Sequence, residues 1–421
     1  MMPGDQIRPT EVFIILVAAS TVIAFATRRI RFLPYSVALV VLGLVVSALD
    51  LPLDVKVDST VLLSVLLPGL VFEAAYRTDL RVLRQSAGAV AFLAVPGVLL
   101  CAAIAAVALS AVTGIGLAAA FVVGAALAAT DPAAVLAVVS KLPVPRRLTT
   151  LIEAESLFND GTGVILFALA LTALQRSVTP SELVIGLVVV TAVSSLIGVV
   201  VGFIGSRALV RVQDHLVELT ISVVVAYGSY LLADRVGQSG LIASVVAGLV
   251  FGSYGKQVGA SRVGSDAMDT VWEFAAYLLT TFVFLLIGLA IGVEQVVAAL
   301  LPALVVLVAL LASRALVVYV LLGGGARMLS RCGWSSPYSR EWLHLIAWSG
   351  LRGAVATALA LALPIALPHR ELMQGVIFAC VLLTLIVHGT TVELLVGWLG
   401  LDRGHEEGRD PSGTPASSEG G

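Results

Sequence analysis

Apolar residues run along this chain in long unbroken stretches, separated by short polar breaks that hold most of the charge. The stretches fall near 11–26, 34–49, 59–75, 88–112, 115–140, 148–174, 182–209, 217–234, 239–254, 270–292, 295–322, 341–367 and 372–399. Their lengths suit helices crossing a hydrocarbon layer, which takes roughly 20 residues. Their continuous apolar character excludes an outer-membrane barrel, whose strands alternate. The pattern predicts an all-α polytopic membrane protein of thirteen transmembrane helices.

Composition agrees. Hydrophobic residues make up 59% and charged residues 12%, against about 25% charged in soluble domains, so a water-facing skin is lacking. The distribution of basic residues orients the chain. With the N-terminus outside, one set of loops carries Arg28, Arg29, Arg31, Arg77, Arg81, Arg84, Lys141, Arg146, Arg147, Arg207, Arg211, Lys256, Arg262, Arg327, Arg331, Arg340, Arg403 and Arg409. The other set holds only Arg8, Lys56, Arg176, Arg235 and Arg370. Positive charge is retained on the cytoplasmic side, so the reading is N-out and C-in. Residues 1–400 form one membrane domain. Residues 401–421, rich in Gly, Ser, Glu and Pro, are expected to be a disordered cytoplasmic tail, with no soluble regulatory domain appended. The first apolar run precedes Arg28, Arg29 and Arg31 rather than a small-residue cleavage site, and is expected to be a retained span. Cys101, Cys332 and Cys380 show no metal or redox spacing. There is no metal-binding histidine pair, GxSxG or phosphate loop, so neither an enzyme, a cofactor nor a nucleic-acid partner is expected.

Ionisable residues inside apolar spans are costly and point to function. Those here are Glu73, Asp131, Glu155, Asp160, Arg314 and Arg352; His388 and Glu393 in the last span read as structural. The fifth span contains Ala129-Thr130-Asp131-Pro132. Proline lacks the amide hydrogen and clashes with the preceding turn, so the helix breaks there. Asp131, at the break, either caps the second half-helix or ligates an ion beside freed carbonyls. In the sixth span, Glu155-Ser156-Leu157-Phe158-Asn159-Asp160-Gly161, the hydroxyl of Ser156 and the carboxylate of Asp160 share a helix face at i, i+4, half of a hard-cation site. An ionised carboxylate cannot stay alone in lipid, so Asp160 meets either a cation or a proton, and that alternation is the chemistry of an exchanger. Arg314, and Arg352 within Gly350-Leu351-Arg352-Gly353, need partners, for which Glu155 and Asp131 are candidates. The breaks lie seven spans apart, as in inverted-repeat transporters whose site is at the midplane.

Ala129–Pro132, Glu155–Gly161 and Gly350–Gly353, in this order and supported by Phe72-Glu73-Ala74 and Arg314, resemble the monovalent cation/proton antiporters, the family of bacterial NhaP-type proteins and animal sodium/proton exchangers. The resemblance covers essentially the whole membrane part. It implies a core domain with two broken crossing helices (fifth and twelfth), a separate dimerisation domain, a homodimer in the cytoplasmic membrane, and elevator-like alternation. It also implies that Asp160, with Asn159 beside it, is the transport centre, and that Ser156 and the Thr130 backbone complete the metal-ion ligands. Glu73 would ligate directly or through water, Glu155 would pair with Arg314, and Arg352 would sit at the helix crossing.

If Arg314 balances Glu155 and Arg352 balances Asp131, Asp160 alone is left to carry one cation or one proton, which gives electroneutral one-for-one exchange. Rate should then follow pH as a bell, with protons blocking the cation at low pH and proton return limiting at high pH. Na+ or Li+ is the expected ion. A K+/H+ antiporter of the same architecture is the alternative; a cation channel fits less well, because channels line a continuous pore with rings of charge or carbonyls.

Overall fold

The computed structural model describes residues 9–29, 34–48, 59–139, 144–175, 179–212, 214–258, 261–326 and 338–400, and these contain helices and no strand. In chain order the helices are α1 Pro9–Arg29, α2 Tyr35–Ala48, α3 Ser59–Arg77, α4 Leu80–Thr113, α5 Leu117–Ala128 and α6 Ala133–Val139. They continue as α7 Arg146–Gln175, α8 Pro180–Leu209, α9 His215–Arg235, α10 Gly240–Val258, α11 Arg262–Ala290 and α12 Val293–Ala298. The last are α13 Leu300–Ala326, α14 Arg340–Trp348, α15 Ala354–Leu361 and α16 Arg370–Trp398. The expected tail at 401–421 and Cys332 lie outside the described residues.

Short polar breaks start and stop these helices for local reasons. Asp79, Asp214, Ser239, Ser261 and Ser339 each cap a helix start through the side-chain oxygen, satisfying amides that have no partner in the first turn. Thr179 and Glu182 form a reciprocal capping box ahead of α8, with Pro180 at the first turn, where its missing amide costs nothing. At the end of α4, Gly114 adopts a left-handed conformation (φ 73°) that favours glycine. Inside α4 a π-helical stretch at Leu93–Gly97 accommodates Pro96, which cannot donate to the regular ladder.

Among the described residues nine helices are long and apolar enough to cross a membrane: α3, α4, α7, α8, α9, α10, α11, α13 and α16. Thirteen spans were expected, two of them broken; the four missing from these nine are α1 and α2, whose apolar stretches are shorter, and the two interrupted spans. The expected fifth span is divided into α5 and α6, of 12 and 7 residues, and the expected twelfth into α14 and α15, of 9 and 8. At about 1.5 Å per residue neither half reaches across a hydrocarbon core of about 30 Å.

The helices gather in two clusters. In one, α4 packs on α5 and α13, α5 on α7, and α16 on α13 and α15. In the other, α10 packs on α3, α8 and α9, while α11 packs on α2, α3 and α9. Lipid is as apolar as leucine, so close van der Waals fit holds such helices together, and small residues set the closest approaches. Gly43 of α2 and Gly288 of α11 face each other so tightly that a side chain on either would meet the other helix's backbone.

Candidate functional site

Helix α5 stops at Ala128, and the chain runs non-helically through Ala129, Thr130, Asp131 and Pro132 before α6 begins at Ala133. Ser349 to Gly353 likewise separate α14 from α15. The two non-helical segments touch, with the Asp131 amide donating to the Leu351 carbonyl at 2.9 Å. Asp131 accepts from the Ala133 amide at 3.0 Å and also from the Ala354 amide, so one carboxylate serves the starts of both second halves. A side chain at Gly353 would run into the Asp131 carboxylate; that position needs glycine because Asp131 already fills the space.

Arg352 does not pair with Asp131, contrary to the charge-balance expectation. Its Nη1 donates to the carbonyls of Ala128 at 2.9 Å and Ala129 at 3.1 Å, and its amide donates to Thr384 Oγ1 at 3.1 Å. The reason lies in helix ends. The last carbonyls of α5 have no intrahelical partners and carry partial negative charge, while Asp131 is already supplied by amides of the opposite sign. The crossing is balanced by backbone at both points.

Behind the α5–α6 break, α7 supplies a brace. Asn159 accepts from the Thr130 amide at 3.2 Å and donates to Thr130 Oγ1 at 2.5 Å and Glu155 Oε1 at 3.3 Å. It is fully buried and does not line the cavity described below, so it positions the Thr130 segment. Glu155 in turn is held by Arg314, Nη1 to Oε1 at 2.5 Å and Nη2 to Oε2 at 2.7 Å, and Arg314 also donates to the Ile346 carbonyl at 2.8 Å. Next to Glu155 in the chain and on the cavity side, Ser156 Oγ donates to the Thr130 carbonyl at 2.6 Å.

The front of this assembly is a cavity of about 190 Å³ at the seam between the two helix clusters. Its walls come from α3 (Leu67 to Ala74, including Glu73), the α5–α6 break, α7 (Glu153, Ser156, Leu157, Asp160), α11 (Ala276, Thr280, Val283, Phe284) and the start of α15. Asp160, Ser156, Thr130, Asp131 and Glu73 are therefore brought together around one space. Asp160 makes no hydrogen bond or ion pair with any described residue, whereas Glu73 Oε1 is held by Arg77 Nε at 2.6 Å. A carboxylate, a hydroxyl and a freed carbonyl around a small space are oxygen ligands suited to a hard cation.

Glu153, on the same wall, was not singled out from the sequence. The signal was present: Glu153 lies inside the 148–174 span, and 153, 156, 157 and 160 follow the i, i+3, i+4, i+7 repeat of one helix face. His388 packs edge-on against Trp348 (centroids 4.5 Å apart) and is buried. Cys101 and Cys380 are buried free thiols.

Comparison with known proteins places this geometry in context. The family described as the transmembrane sodium/hydrogen exchanger matches residues 15–398. The low-affinity Na+/H+ antiporter NhaS1 of Synechocystis sp. is 33% identical over 397 residues, covering 93% of this chain and 75% of the relative. The Na+/H+ antiporter NhaH of Halobacillus dabanensis is 31% identical over 402 residues, 92% of this chain and 97% of its own. Among solved structures, the sodium proton antiporter MjNhaP1 from Methanocaldococcus jannaschii at pH 8 shares the fold with a TM-score of 0.73 at 19% identity, covering 91% of this chain and 97% of that one.

Proposed function

The chain belongs to the sodium/hydrogen exchanger family, a family of multi-pass membrane transporters rather than enzymes, and from that premise we propose that it exchanges Na+ (or Li+) for H+ across the cytoplasmic membrane. The observation that carries this reading is Asp160: a carboxylate open to the cavity, with no hydrogen bond or ion pair to the described residues, lining the same space as Ser156 and Thr130, whose hydroxyl and carbonyl are bonded to each other. A carboxylate in that setting is stabilised by a cation or by a proton, one at a time. Ser156, Thr130 and Asp131 complete the cation's oxygen shell, and Glu73 reaches it directly or through water when released by Arg77.

One-for-one, electroneutral exchange keeps its rationale on altered grounds. Glu155 is neutralised by Arg314, Glu73 is paired with Arg77 and Asp131 is stabilised by helix-start amides instead of Arg352, so at the α5–α6 break Asp160 is the carboxylate free to change its occupant. The position of the cavity at the seam supports alternating access: sliding of the cluster of α4, α5, α7, α13 and α16 against the cluster of α2, α3, α8, α9, α10 and α11 would carry the site from one side to the other in an elevator-like step. In this reading the divided helices α5–α6 and α14–α15 each count as one interrupted span, giving thirteen in an inverted repeat, N-out and C-in, with the second cluster providing the homodimer interface.

The test is reconstitution in liposomes with an imposed pH gradient and an internal pH dye, adding Na+, Li+ or K+ in turn under a potential clamp. Gradient collapse in the wild type that is absent in Asp160→Asn supports the reading, and the ion series names the substrate. Exchange by Asp160→Asn equal to the wild type removes Asp160 as carrier; a current that tracks the clamped potential removes electroneutrality.

A further inference from the structure

The proposed exchange leaves one cavity carboxylate without a role. Glu153 lines the same space as Asp160 and, seven residues earlier on α7, lies about 10 Å nearer the helix end that carries Arg146 and Arg147. It forms no hydrogen bond or ion pair with the described residues. The nearest cation is committed elsewhere: Arg77 holds Glu73 at 2.6 Å, Glu273 at 3.3 Å and the Asp269 carbonyl at 3.0 Å, all on the α3 and α11 wall. Lys256 is likewise taken up by Asp269 at 2.8 Å. Around this mouth four carboxylates, Glu73, Glu153, Asp269 and Glu273, face two cationic side chains, and the surplus negative charge falls where Glu153 stands opposite the bound arginine.

Resting on the antiport reading above, we propose that Glu153 is a relay carboxylate, which takes the cation from the cytoplasmic mouth of the cavity and hands it along the α7 face to Asp160. A cation moving from bulk water toward Asp160 sheds part of its hydration in a narrow, low-dielectric passage, and a negative wall there offsets the loss and raises its local concentration. Glu153 is suited to this because it makes no ion pair with a described residue, and the arginine it faces, Arg77, is already held by Glu73 and Glu273. The Glu153, Ser156, Asp160 stripe supplies an oxygen ligand at each turn of the descent. A carboxylate on the route affects how readily the ion arrives, more than how fast the loaded carrier turns over.

The experiment measures the Na+ dependence of exchange at fixed pH in proteoliposomes, using the full chain as wild type, Glu153→Gln, Glu153→Asp and Asp160→Asn. The expected result is an apparent KM for Na+ raised about five- to tenfold in Glu153→Gln, a rise larger than any fall in maximal rate, with Glu153→Asp recovering most of the affinity. Added choline chloride should raise the wild-type KM by screening the mouth and leave the Glu153→Gln value nearly flat. A KM in Glu153→Gln equal to wild type, or a lowered maximal rate at unchanged KM, overturns the relay while Asp160→Asn, if inactive, leaves the antiport reading standing. Full exchange by Asp160→Asn overturns that reading and the relay with it.

Discussion

Arg314 and Glu155, 159 residues apart in the chain, meet inside the membrane part through two parallel bonds, 2.5 Å and 2.7 Å, with both side chains buried. The planar fork of the guanidinium matches the carboxylate edge. Glu155 passes the constraint to Asn159, and Asn159 to Thr130, so an ion pair behind the cavity fixes the backbone segment in front of it.

Breaking that pair from one side should be severe. Arg314→Ala leaves Glu155 buried without its counter-charge, and Glu155→Ala does the same to Arg314, each at about 3–5 kcal/mol. Thermal unfolding in detergent should show both single variants well below the wild type. The double variant Glu155→Leu with Arg314→Met should recover much of the loss, because no bare charge then remains. Arg314→Lys should behave nearly as badly as Arg314→Ala, since an ammonium cannot make both bonds.

Asn159→Ala removes the acceptor for the Thr130 amide and the donor to Thr130 Oγ1. The buried amide left unmatched costs about 1–3 kcal/mol, and the Thr130 carbonyl loses its fixed aim. The expected outcome is a lowered melting temperature together with a several-fold rise in KM for the cation. A variant that melts early while keeping wild-type KM would mean that the brace supports the fold and not the site.

Much of this was legible before any coordinates. Pro132 and the Gly350–Gly353 pair marked both interruptions, and the spacing of Ser156 and Asp160 put hydroxyl and carboxylate on one face. What escaped was the partner of Arg352. Matching charged side chains one to one leaves out the backbone, and at a helix end the carbonyls of Ala128 and Ala129 are as good an acceptor as a carboxylate. Glu153 escaped for a different reason: it lies inside the 148–174 span, but attention fell on the run from Glu155 to Gly161, and the cavity is what shows that residue 153 shares the face of Ser156 and Asp160.

The close approach of Gly353 to Asp131 makes a sharp test of the crossing. In Gly353→Ala the added methyl collides with the Asp131 carboxylate, and since Asp131 is held by the Ala133 and Ala354 amides it cannot swing aside without uncapping a helix start. Gly353→Ala should therefore lose exchange and melt early, and Asp131→Ser introduced alongside should recover stability without recovering exchange. Recovery of both would place Asp131 outside the cation's shell.

The pH profile should respond to the concentration of the cation. If Asp160 holds either Na+ or a proton, the acid limb of the bell records protons displacing the cation, and the alkaline limb records scarcity of protons for the return step. On the acid limb one proton competes with one cation, so a tenfold increase in Na+ offsets a tenfold increase in protons and moves that limb about one unit toward lower pH. The alkaline limb, set by protonation of the returning carrier, should move far less when Na+ is raised only on the side from which it is taken up. Initial rates in proteoliposomes across a grid of pH and Na+ check both. An acid limb that stays fixed while Na+ rises tenfold would show that a group other than the cation site senses pH.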